Sequence, residues 1–209
     1  MPFLNPSTLI AYAIILLIAL PFHELAHAWT ANWLGDRTAA YQGRLSPNPF
    51  VHLDPFGAIA FLLVGFGWAK PVPVNPYYLR HGKLGEVMVA AAGPLSNLFL
   101  ALLAAIPVRF GLIHLAGSSG SVLPSLGYLW GIFIASNVLL MVFNLLPIPP
   151  LDGFRVAVGL LPGEMAYPLQ RLEPYGPMVL LLLLFLGGGV VSSLISGPMN
   201  LLLRLILYS

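Results

Sequence analysis

The chain has 209 residues, of which 58% are hydrophobic and only 8% charged, and its mean hydropathy is +0.89. A soluble domain carries about 25% charged residues, so an ordinary water-soluble globule and a disordered chain are both excluded. Nine basic residues against seven acidic ones leave a net charge of +2 and no basic stripe to neutralise phosphates, so nucleic acid is not expected as a partner. The absence of cysteine excludes disulfides, cysteine-ligated zinc and a thiol nucleophile. An integral membrane protein of one domain, embedded in the lipid bilayer, remains.

A transmembrane helix needs about 20 mostly apolar residues. The first candidate runs from Ser7 to about Trp33. It lacks a basic leader and a small-residue cleavage site, so it reads as a retained helix rather than a signal peptide. A polar stretch from Asn32 to Pro55 follows. Gly57 to Trp68 is apolar but too short to span, and the prolines of Lys70-Pro71-Val72-Pro73-Val74-Asn75-Pro76 forbid a helix and favour extended or hairpin-like chain. Gly57 to Arg80 is therefore expected to be a re-entrant or interfacial element, since irregular backbone at membrane depth must be covered by protein or line a cavity.

Three further spans are expected at about Gly85–Val108, Leu126–Leu146 and Gly176–Ile195. Asp152 to Pro174 reads as one short helix and a loop, and Met199 to Tyr208 as a run too short to cross that lies in the interface. Counting Lys and Arg, the segments after the first and third spans hold Arg37, Arg44, Lys70, Arg80, Lys83, Arg155 and Arg171, whereas the loop at 107–125 holds only Arg109. The positive-inside rule then places the N-terminus outside and the first two of these segments in the cytoplasm.

His23-Glu24-Leu25-Ala26-His27 lies toward the C-terminal end of the first span. Positions i and i+4 share a helix face, so both imidazoles can reach one metal ion, with Glu24 beside it and free of ligation. In such an arrangement zinc lowers the pKa of a bound water toward about 7 and the carboxylate takes its proton. From composition the pattern arises by chance roughly twice in a thousand chains of this length. A charged residue at mid-bilayer costs about 2.5–3.5 kcal/mol on insertion scales, and a structural zinc site returns on the order of 10–16 kcal/mol. Histidines that merely bond neighbouring helices would leave Glu24 without a reason.

A catalytic zinc takes three protein ligands and keeps one open position. His52, His81 and His114 lie outside the spans. Asp152 is the better third ligand, because in Asn144-Leu145-Leu146-Pro147-Ile148-Pro149-Pro150-Leu151-Asp152-Gly153 three prolines unwind the end of a membrane helix and free the chain to turn. Taken alone, Asp152 reads first as the cap of the next helix, and the histidine pair reverses that preference.

With these motifs in place, the chain resembles the site-2 protease family of intramembrane zinc metalloproteases, in its small bacterial type. His23-Glu24-Leu25-Ala26-His27 and the Asn144–Gly153 segment carry the resemblance, with Gly67-Trp68-Ala69-Lys70-Pro71-Val72-Pro73-Val74-Asn75 and Ala92-Gly93-Pro94-Leu95-Ser96-Asn97. The resemblance implies an all-α polytopic membrane protein: a three-helix site-2 protease core over about residues 7–155, a re-entrant or β-hairpin element, and additional C-terminal helices over 156–209. It implies one Zn²⁺ per chain held by His23, His27 and Asp152, with Glu24 as general base. Asn144 matches a motif asparagine that positions substrate or steadies the oxyanion. The implied activity is hydrolysis of peptide bonds in or near transmembrane helices of membrane-protein substrates. No stretch is long enough for the PDZ or CBS modules of larger members.

Other residues keep two readings. Asn144 either contacts the substrate or bonds a neighbouring helix, the commoner role of a membrane amide. Asn97 could orient Asp152 or a histidine, and Asn137, seven residues before Asn144, could be a helix-bonding or outer-shell partner. The segment with Lys70, Val72 and Val74 either pairs with an extended substrate by strand addition or merely seals the cavity. His52 and Asp54 read as turn and cap residues, and Glu86 as a favourable partner of a helix dipole. The competing functions are a catalytically inactive zinc-binding membrane scaffold and a metal transporter. A transporter is expected to spread polar groups over repeated halves, whereas here they converge on one site.

Overall fold

In the computed structural model the described residues are 6–65, 67–117, 124–186 and 188–208. Position 66 of the expected re-entrant stretch, 118–123 of the loop after the second span and 187 of the C-terminal run lie outside them. Among the described residues the regular elements are all helices, with one isolated antiparallel bridge, Leu53–Ala69. Four helical stretches are long and apolar enough to cross a membrane: Ser7–Trp33, Lys83–Arg109, Leu126–Asn144 and Gly189–Tyr208.

The first stretch is α1 (Pro6–Ile14), a π-helical turn (Ile15–Ala19) and α2 (Leu20–Trp33). The π-turn directly precedes Pro21, which cannot donate to the carbonyl one turn back. After the four-residue α3 (Thr38–Tyr41), α4 (Pro55–Val64) starts where the Asp54 carboxylate accepts the Gly57 N–H at 2.8 Å, so Asp54 caps this helix as expected. The element after Gly57 is thus a helix followed by extended chain. The β-hairpin form is reduced to the Leu53–Ala69 bridge and a Lys70 N–H to His52 C=O bond of 2.8 Å, because Pro71, Pro73 and Pro76 have no N–H to extend a ladder.

The long α5 (Lys83–Arg109) is the hub, packing on α2, α6 (Leu126–Asn144) and α7 (Asp152–Leu160). Ala101, Ala104 and Ala105 of α5 let it approach Ile134, Val138 and Val142 of α6, and Ile206 of the last helix closes the cluster. Small residues serve this purpose in membranes, where burying apolar surface between helices gives no hydrophobic gain. Large apolar side chains such as Trp29, Trp33, Phe99 and Leu103 point outward, as a lipid-facing surface requires.

Two expectations about the C-terminal third are corrected. The segment after Asp152 forms two short helices, α7 and α8 (Gly163–Gln170), joined by Phe154, Val158 and Ala166 in a small core. The apolar run after them is helical on both sides of position 187, as α9 (Gly176–Leu186) and α10 (Gly188–Tyr208), and Met199–Tyr208, expected as a separate interfacial run, is the second half of a helix long and apolar enough to cross a membrane. Pro198 stays inside α10, where Ile195, Met199 and Leu202 pack on the α5–α6 core.

Candidate metal centre

The i, i+4 spacing on α2 puts both imidazoles on one buried face, with ring centroids 4.7 Å apart. His23 Nδ1 donates to Asn97 Oδ1 at 2.6 Å and His27 Nδ1 donates to the Val89 carbonyl at 2.7 Å, both acceptors on α5. Both acceptors are oxygens, so each Nδ1 carries the proton and each Nε2 presents a lone pair. The two Nε2 atoms are 3.1 Å apart. Asp152 Oδ2, at the start of α7, lies 3.1 Å from His23 Nε2 and 3.3 Å from His27 Nε2.

These three residues form a group able to hold a metal ion. With the Nδ1 protons committed elsewhere, three electron-rich atoms face one another and need a shared cation or an added proton. A tetrahedral zinc about 2.0–2.1 Å from its ligands separates them by about 3.3–3.4 Å, close to the observed triangle. In the chain alone, burial pushes the Asp152 carboxyl up, but imidazoles that take up the added proton at Nε2 hydrogen-bond it and hold it well below the usual carboxylate range. Asp152 is therefore an anion ready to ligate.

Two glycines make the approach possible. A Cβ on Gly93 of α5 would overlap Nε2 of both histidines, and one on Gly153 would overlap the Leu145 and Leu146 carbonyls at the end of α6. Gly153 thereby lets the start of α7 press against the turn that follows α6, and Asp152 reaches His23, 129 residues away in sequence.

The centre opens into a cavity of about 510 Å³ whose walls include His23, Glu24, His27, Val72, Val74, Asn144 and Asp152. Glu24 is half-buried there. Asn144 lines the wall while its Nδ2 donates to Leu140 C=O at 3.0 Å, leaving a second N–H for a partner. Val72 and Val74 line the cavity, whereas the Lys70 side chain is exposed and only its backbone joins the network. Asn97 is fully buried and bonds His23, not Asp152; its Nδ2 donates to Asn137 Oδ1 at 2.9 Å and to Ala19 C=O at 3.2 Å. Asn137 in turn donates to Phe133 C=O at 2.9 Å. His52 is a buried turn residue bonded to Ser46 C=O, and Glu86 lies in the first turn of α5 but also lines the cavity.

Sequence reasoning did not single out Gly93, the Val89 carbonyl, or the buried pair Arg44 and Asp36. Gly93 lay within a quoted motif, yet nothing local says that imidazoles press on it. Burial draws the Arg44 pKa down, and the nearby Glu24 charge partly offsets this.

The chain is 41% identical over 207 residues to "Putative zinc metalloprotease YwhC" of Bacillus subtilis, covering 96% of this chain and 93% of that one. Proteins of the same description are Rip2 of Mycobacterium tuberculosis (32% identical, 81% of this chain, 64% of Rip2) and MJ0611 of Methanocaldococcus jannaschii (34%, 74% of each). No family model and no solved structure matches. With likeness to YwhC along nearly the whole of both chains, and with a donor triangle of zinc dimensions, the chain belongs to this family of zinc metalloproteases.

Proposed function

We propose that the protein is an intramembrane zinc endopeptidase of the site-2 protease type that cleaves peptide bonds in or near transmembrane segments of membrane-protein substrates. The observation that carries this reading is the donor triangle of a membrane-type helix and a post-helical turn, opening beside Glu24 into a cavity walled by extended chain. Zinc held by His23, His27 and Asp152 would supply Lewis-acid polarisation and a water acidic enough to react near neutral pH. Glu24 takes the proton of the attacking water and passes it to the leaving amine. Asn144, with one amide N–H spent on Leu140, uses the other to orient the scissile carbonyl or steady its developing charge. Val72 and Val74 offer a wall against which a locally unfolded substrate lies extended.

The uneven distribution of Lys and Arg supports a cytoplasm-facing cavity in the cell membrane with the N-terminus outside. Incubating the purified protein in detergent with single-span substrates is the direct test. We expect cleavage that a chelator stops and added zinc restores; zinc flux in liposomes without cleavage would favour transport, and zinc binding without either would favour a scaffold.

A further inference from the structure

The polar stretch after the first span supplies two buried charged side chains that the proposed chemistry does not use, Arg44 and Asp36, with exposures of 2% and 0%. Both reach the same short segment. Arg44 Nη1 donates to Val51 C=O, and Nη2 donates to Lys70 C=O and, at 2.6 Å, to Pro71 C=O. Asp36 Oδ2 accepts the Asn75 N–H at 2.7 Å, while Oδ1 is held by the Thr38 N–H and hydroxyl at 2.9 and 2.5 Å.

Between the two grips, the backbone groups of Val72, Pro73 and Val74 have no hydrogen-bond partner among the described residues. The pairing edge begins at the Leu53–Ala69 bridge, continues with Lys70 N–H to His52 C=O, and stops where Pro49–Val51 turns away. The Arg44 guanidinium fills that fork, bonding both parting chains. Pro71 and Asn75 mark the gripped ends of the segment, and Pro73 between them has no N–H to satisfy. Val72 and Val74 line the cavity of the metal centre.

We propose that Arg44 and Asp36 are positioning residues for substrate, holding the 72–74 edge open and taut so that an extended peptide pairs with it beside the metal centre. This rests on reading the cavity as a peptide-cleaving site. Fixing the edge in advance removes an ordering cost from binding. Loss of either grip therefore weakens substrate binding, while Glu24, the histidines and Asp152, carried on α2 and α7, keep their chemistry.

The test uses the full chain in detergent with a single-span substrate. For Arg44→Met and Asp36→Asn we expect KM to rise at least fivefold, with kcat within twofold of wild type and zinc stoichiometry intact. Arg44→Lys keeps the charge without the fork and falls between. Because the chain has no cysteine, a spin label on Lys70→Cys reports the segment directly and becomes more mobile in Arg44→Met. An unchanged label, or a mobile label with unchanged KM, overturns the proposal; so does a fall in zinc content or kcat in both Arg44→Lys and Asp36→Asn. Anisotropy of a fluorescent single-span peptide on Glu24→Gln separates this from the parent reading. If wild type never cleaves yet the peptide binds and Arg44→Lys or Asp36→Asn weakens it, proteolysis fails and the edge stands. If cleavage is zinc-dependent but these variants bind peptide as tightly as their parent, the edge fails and proteolysis stands.

Discussion

Each imidazole of the centre commits its Nδ1 proton to an oxygen on α5, and from that all else at the residue scale follows. The Nε2 atoms become ligands, Asp152 completes the triangle, and Glu24 is left unligated in the cavity. Glu24→Gln should therefore keep its zinc and lose cleavage by at least two orders of magnitude, the usual worth of a general base, whereas Asp152→Ala should lose the metal itself. Elemental analysis beside turnover distinguishes them: wild-type-like turnover by the first, or full zinc in the second, contradicts the assignment. Gly93→Ala is a sharper case. Glycine to alanine inside a helix ordinarily gains up to about 1 kcal/mol, yet here the new methyl meets Nε2 atoms whose rings are pinned from behind. We expect lost zinc occupancy without loss of helical content by circular dichroism.

At the scale of elements, the centre is held by an amide relay running from His23 on α2 through Asn97 on α5 to Asn137 on α6. Removing an outer partner of a metal-bound histidine commonly costs 10–100-fold in affinity, so Asn97→Leu should weaken zinc binding by that range. Asn137→Leu should weaken it less, since Asn97 keeps its bond to Ala19 C=O, and interhelical hydrogen bonds in membranes average only about 0.6 kcal/mol. Competition titration with a zinc indicator checks the order; equal losses would mean that Asn137 acts through helix packing. The proline-rich break before Asp152 was visible in the sequence, because a missing N–H is a local fact. That Met199–Tyr208 belongs to a full-length helix was not, because hydropathy alone cannot tell which apolar window packs on α5 and α6.

For the whole molecule, orientation is the open quantity with the simplest measurement. Single cysteines placed at exposed Tyr77 and Leu112 should react with impermeant maleimide from opposite sides, the first from the cytoplasm and the second from outside. Labelling of both from one side would remove the proposed topology.

The sequence by itself determined the membrane class, three of the four long helices, the shared face of His23 and His27, and Asp152 as the candidate third ligand. Each of these depends on composition, on the i, i+4 repeat or on a proline cluster, signals contained within one stretch of chain. Only the tertiary structure decided that Asn97 bonds His23 and not Asp152, that Gly93 must lack a side chain, and that Arg44 and Asp36 grip one segment. Those contacts join residues 26–74 positions apart. Which of several buried amides, glycines and charges meet is set by how α2, α5, α6 and the extended chain pack, and close packing admits one set of neighbours that no local pattern encodes.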